Sequence, residues 1–175
     1  MRALLLCLLL NLAQADPLDA AQQALEAGDR AQALRLLQAP ATDGDRSAQW
    51  ALAQLLELPG PTRDLKASLH WYGRLAQGGH AGAMEAIGLA HYLGRGVEQD
   101  FKQAAAWFRQ AGERGELGSQ YLLASMYEKG LGLPRDLRLA QSWYGRAAAQ
   151  GDVAAAAKYE ELERALTEPT PTTPP

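Results

Sequence analysis

The chain has 175 residues, an apolar fraction of 47% and a formal net charge of -3. That length bounds one modest domain or a short array, and the acidic balance argues against a broad nucleic-acid surface. The single cysteine, Cys7, excludes a disulfide framework.

Residues 1–15 read as a leader. Arg2 supplies a positive start, Ala3 to Leu10 an apolar run, and Ala13-Gln14-Ala15 the small residues of a cleavage site. This is the pattern of a secretory signal peptide, too short to span a membrane. Cleavage after Ala15 removes Cys7 with the leader, so no thiol nucleophile or cysteine-ligated metal is expected. The expected location is the periplasm or the outside of a cell, with no stable membrane span in the mature chain.

Residues 16–45 read as a terminal hairpin of two short helices. Asp16-Pro17 offers an N-cap followed by proline at the first helical position. Ala33, Leu34, Leu36 and Leu37 make the second apolar face, and Pro40 with the run Thr42 to Asp45 is expected to close the hairpin.

From there the chain repeats. Trp71, Trp107 and Trp143 recur at an interval of 36 residues, as do Asp64, Asp100 and Asp136, and Gly79, Gly115 and Gly151. The glycine pairs Gly94/Gly96 and Gly130/Gly132 keep the same interval. A shared period of this length in helical sequence means a stacked array of hairpins. The units are a degenerate repeat at 46–79, a second at 80–115 and a third at 116–151. In the first, the turn is Pro59-Gly60-Pro61 and Leu58 stands in place of the leading glycine. A capping helix follows at 152–166, where Glu160 and Arg164 are spaced to pair across one turn. The tail at 167–175, rich in proline and threonine, is expected to be extended and disordered.

Each recurring residue has a physical reason. Two glycines flanking one residue permit the positive φ that reverses the chain between antiparallel helices. Asp64, Asp100 and Asp136 stand where a second helix starts and accept from its unpaired backbone N–H groups. Gln103, three residues after Asp100, makes a capping box the expectation there. Ser68, Ala104 and Ala140 are small, so two helices can approach closely. Trp71-Tyr72, Trp107-Phe108 and Trp143-Tyr144 are assigned to the joints between hairpins, where large rings bury most area. Their rival reading is a stacking ladder for sugars or bases.

The chemistry of catalysis is sparse. His70, His80 and His91 form no metal-ligand spacing, and no nucleophile elbow or phosphate-binding glycine loop is present. Neither cofactor nor metal is expected, and the chain reads as no enzyme. A cell-wall or β-lactam hydrolase built on Glu85 and Glu128 is the catalytic alternative.

The second and third units carry a specific pattern. Ala83, Gly94, Gly96, Asp100, Ala104, Trp107-Phe108, Ala111 and Gly115 are matched by Ser119, Gly130, Gly132, Asp136, Ala140, Trp143-Tyr144, Ala147 and Gly151. This pattern resembles the Sel-one-like repeat, a relative of the tetratricopeptide repeats. The first unit is a weaker copy, and His91 stands where the pattern prefers tyrosine. The resemblance implies an all-α fold, an α/α solenoid of antiparallel hairpins, that binds a protein or peptide as an adaptor or scaffold. It further implies that the first helix of each unit lines a concave face. Carried onto this chain at the 36-residue spacing, that face holds Arg46, Gln49 and Leu56, then Glu85, Leu89 and Tyr92, then Tyr121, Ser125 and Glu128. Tyr92 and Tyr121 are the candidate anchors, and Glu85 and Glu128 the candidate selectors of a basic partner. An immunity or inhibitor protein against an envelope enzyme is the alternative within the same fold.

Overall fold

A computed structural model describes residues 16–167; the leader and residues 168–175 of the tail inferred above lie outside them, whereas Thr167, expected to begin the tail, ends the last helix. Among the described residues every regular element is an α-helix: α1 (Pro17–Glu26), α2 (Arg30–Asp43), α3 (Arg46–Glu57), α4 (Leu65–Gln77), α5 (Ala81–Leu93), α6 (Phe101–Glu113), α7 (Leu117–Lys129), α8 (Leu137–Ala149) and α9 (Val153–Thr167). They group into two compact units that divide after Leu75. Within each unit, helices adjacent in sequence pack against each other.

Aspartate starts most of these helices. Asp16, Asp29, Asp45, Asp64, Asp100, Asp136 and Asp152 each accept a hydrogen bond from a backbone N–H of the helix that follows. Asp100 and Asp136 each accept two, from Lys102 and Gln103 and from Arg138 and Leu139. The backbone N–H of Asp100 donates to the carbonyl of His91 at 2.9 Å. That bond uses the donor a capping box would need, so the box expected from Gln103 does not form.

Glycine ends the first helices of the second and third repeats. Gly94 and Gly130 cap α5 and α7 in the left-handed region, with φ of 69° and 72°. In the first repeat Leu58 caps α3 in an extended conformation, and the Arg30 guanidinium holds the turn by donating to the Pro59 carbonyl at 2.8 Å. Pro40 does not close the first hairpin. α2 runs through it to Asp43 and stops at Gly44, φ 102°. A proline inside a helix removes one backbone hydrogen bond and crowds the carbonyl four residues back; α2 nevertheless continues one turn past Pro40.

The second unit has a core of small and aromatic residues. Ala104, Phe108, Leu123, Ala124, Ala140 and Ala147 are fully buried. Gly88 matters here: a Cβ on it would lie 2.7 Å from the Phe108 ring, so only glycine leaves that ring its place. Trp143 is 8% exposed, against Gly112, with the Arg146 guanidinium 4.4 Å above its ring. Trp71 is equally buried, whereas Trp107 is half-buried.

α9 carries a different pairing from the one its spacing suggested. Arg164 Nε donates to the backbone carbonyl of Glu160. The ion pairs belong to Lys158, which meets Glu128 at 3.1 Å and Glu161 at 3.0 Å.

Candidate functional site

The first helices of the repeats, α3, α5 and α7, are aligned by a recurring hydrogen bond. The N–H of Asp64 donates to Leu56, that of Asp100 to His91, and that of Asp136 to Tyr127. Leu56, His91 and Tyr127 are therefore equivalent, and the turn of the first repeat is one residue shorter than the others. The even 36-residue count breaks at that turn. The residues equivalent to Glu85/Tyr121 and to Tyr92/Glu128 are Trp50 and Glu57, where the even spacing would place Gln49 and Leu56.

Gln49 shows the consequence. It is 4% exposed, and its amide donates to the Ala41 carbonyl at 2.9 Å. Gln120 is its equivalent, equally buried and bonded to the Gly112 carbonyl at 2.9 Å. A buried amide satisfied by a helix-end carbonyl ties hairpins together and leaves nothing for a partner. Leu56 is half-buried beside a cleft of the first unit. Arg46 is exposed at the start of α3. The signal that could have revealed the shift was present: Pro59-Gly60-Pro61 replaces the two-glycine turn, and Gln49 and Gln120 are the same residue one position off the even count.

The face of the second unit keeps more of the predicted residues. Leu89, Tyr92 and Tyr121 are half-buried, their apolar bodies packed on the core. Tyr92 lies edge-on to Phe101, centroids 5.3 Å apart, and Tyr121 edge-on to Tyr144 at 5.2 Å. Both rings are fixed by their aromatic neighbours and stay only half-buried. Ser125 is half-buried near the Tyr144 hydroxyl.

Glu128 is not the free selector the spacing suggested. The Tyr144 hydroxyl donates to its Oε2 at 2.8 Å and Lys158 to its Oε1 at 3.1 Å. Burial alone would raise its carboxyl. The two hydrogen bonds, with the charges of Lys158 and Lys129, outweigh burial and hold it below the usual range. Burial, and then the facing carboxylate, push the Tyr144 hydroxyl far above its ordinary value. The Tyr72 hydroxyl is raised by the same causes, facing Glu57 at 3.4 Å. The glutamate–tyrosine tie thus recurs in the first and third repeats. In the second, Tyr92 and Phe108 replace it with a purely aromatic contact.

Glu85 is the electrostatic exception. Its carboxyl lies over Gly118, where any side chain would strike it, so α5 and α7 adjoin here. Burial, then a hydrogen bond and the charge of Glu116, push Glu85 up to about 7. Two carboxyls can share a hydrogen bond only with a proton between them. This pairing also explains why Glu116, at the N-cap of α7, makes no capping bond from its side chain.

The sign of the linkage follows. The folded state holds a proton on Glu85 that the unfolded chain releases near 4.5, so its contribution to stability is complete below about 4.5 and lost as pH rises through about 7. Glu85→Gln keeps the donor without the charge. Urea unfolding at pH 8 is expected to show the variant about 1 kcal/mol more stable than the parent, after the screening of a half-exposed group. At pH 4.5 the two should coincide; an equal offset at both values would refute the shared proton.

Among the described residues no group of three or more histidine, cysteine or acidic side chains is placed to hold a metal ion, and no helix is long and apolar enough to cross a membrane.

Comparisons with known proteins agree on the architecture. The family model described as Sel1 repeat matches residues 46–80, 81–116 and 118–152. A Sel1 repeat protein from Oxalobacter formigenes is 34% identical, with a TM-score of 0.64, over 71% of this chain and 95% of that one. A protective antigen of uropathogenic Escherichia coli displaying an SLR fold is 26% identical, with a TM-score of 0.76, over 85% of this chain and 33% of that one. Cysteine rich protein B of Helicobacter pylori, at 13% identity and a TM-score of 0.57 over 79% of this chain and 94% of that one, shares the fold. No curated protein matches the chain.

Proposed function

Because the chain belongs to the Sel1 repeat family, whose repeats form an α/α solenoid used as a protein–protein interaction scaffold, we propose that it is a non-enzymatic adaptor that captures a protein or peptide on the adjoining faces of α5 and α7. One observation carries this reading. Tyr92 and Tyr121 are held edge-on by Phe101 and Tyr144, and each is only half-buried. A ring fixed before binding loses little side-chain entropy on contact, which is what makes tyrosine an efficient anchor. Leu89 and Ser125 extend the same face. Glu85 adds a carboxyl that an approaching cation would ionise, so a basic segment is the favoured partner.

We further propose that the mature chain acts after export. The support is the leader itself: Arg2, the apolar run Ala3 to Leu10, and the small residues before Asp16.

The test is affinity capture from an envelope extract with the mature chain as bait, repeated with Tyr92→Ala and Tyr121→Ala. Each substitution is expected to lower recovery of the captured partner about tenfold, in line with the loss of an anchoring tyrosine, while the far-UV circular dichroism stays that of the parent. Undiminished recovery by both folded variants would remove the face from consideration.

A further inference from the structure

The first unit contains a cleft whose equivalent within the second unit is filled by that unit's own side chains. It lies between α2, α3 and α4 and has a volume of about 630 Å³, within the range of small-molecule sites. Leu34, Leu52 and Leu56 form its floor, Trp71 a wall, and His70 and Arg74 its rim. The buried glutamines give the register for comparing the two units: Gln49 on Ala41 corresponds to Gln120 on Gly112. By that register Gln38 corresponds to Arg109, Leu56 to Tyr127 and Ala67 to Leu139. In the second unit the Arg109 guanidinium donates to the Tyr127 hydroxyl at 2.6 Å, so two long side chains occupy the space between the helices. In the first unit shorter residues stand at all three positions, and the space stays open.

The open cleft has a directional chemistry. Lys66, His70 and Arg74 follow one another at single-turn spacing along one face of α4. No acidic side chain lines the cleft. Arg74 rests its guanidinium 5.4 Å from the Trp71 ring centre, and among the described residues no carboxylate pairs with it. A cation at the mouth and an aliphatic floor complement a ligand of one kind, with an anionic head and a saturated tail. Carboxylate recognition by arginine uses charge-assisted hydrogen bonds, and the leucines gain from each methylene they cover.

We propose that this cleft binds an aliphatic monocarboxylate, its tail against Leu34, Leu52 and Leu56 and its head on Arg74 with His70. The site is separate from the tyrosine-bearing face and stands or falls independently of it.

Sodium decanoate, kept below its micellar concentration, is the probe, titrated into the purified chain by calorimetry with tryptophan fluorescence in parallel. Saturable binding to one site is expected, with decan-1-ol, the uncharged counterpart, at least tenfold weaker. Arg74→Gln should weaken decanoate about tenfold, the loss of one charge-assisted contact, and leave decanol unchanged. The double substitution Gln38→Arg with Leu56→Tyr installs the filler found in the second unit and should abolish binding of both while the helical circular dichroism persists. The proposal is overturned by the absence of saturable heat and fluorescence change, by decanol binding as tightly as decanoate, or by a folded filled variant that still binds. Should the double variant fail to fold, the two headgroups and the exposed Arg74→Gln variant decide the matter.

Discussion

Trp143→Ala is expected to destabilise the protein by about 4 kcal/mol, the usual loss for truncating a buried indole. Trp143 is 8% exposed, stands over Gly112 and beneath Arg146, and belongs to the same core as Phe108, Leu123 and Tyr144. The alanine leaves a cavity beside Gly112, which has no side chain to fill it. In a chain of this size the melting temperature should fall by roughly 10 °C. Trp107→Ala is the control. Trp107 occupies the same repeat position but is half-buried, so its truncation should cost less than half as much. Equal losses, measured by urea or thermal unfolding, would contradict the burial described for the two rings.

Gly132→Ala is expected to cost about 3 kcal/mol, an unusual penalty for adding one methyl in a surface turn. Two effects combine. Gly132 sits at φ 69°, where an L side chain is disfavoured by roughly 1–2 kcal/mol. Its Cβ would also strike the backbone of Phe101 and Lys102, at the start of α6. That backbone is anchored by the Asp100 cap and cannot swing aside as a flexible side chain would. Gly130→Ala separates the two effects. Gly130 has φ 72°, but its nearest obstacle is the Cβ of Arg135 at 3.3 Å, so the conformational penalty dominates. The difference between the two variants in chemical denaturation measures how tightly the turn of the third repeat seats on the second. Matching losses would show that seating to be slack.

Much of the fold was legible because its determinants are local. Asp100 and Asp136 cap helices through atoms two and three residues away, and Gly94 and Gly130 adopt conformations that their own lack of a side chain permits. The face of the first helices was less legible because its register depends on a loop. Pro59-Gly60-Pro61 shortens one turn, and a single residue rotates a helix by more than a quarter turn. That is why Gln49 is interior and Trp50 and Glu57 hold the equivalent face positions. The pairing of Glu128 is illegible for another reason. Its partners, Tyr144 and Lys158, lie on the next two helices, and no spacing rule within α7 points to them. The upward shift of the Glu85 carboxyl by burial and by Glu116 is hidden likewise, since α5 and α7 meet only in the folded protein.

The recurrence of the buried glutamine on alternate hairpins carries a consequence for re-engineering the chain. Gln49 and Gln120 repeat, while Met84 and Ala156 take the intervening places; the glutamate–tyrosine tie alternates in step. The packing pattern therefore repeats by the doublet, and lengthening or trimming by doublets should preserve every amide's carbonyl. Excising a lone hairpin would set odd against odd, juxtaposing side chains that have never shared a neighbour.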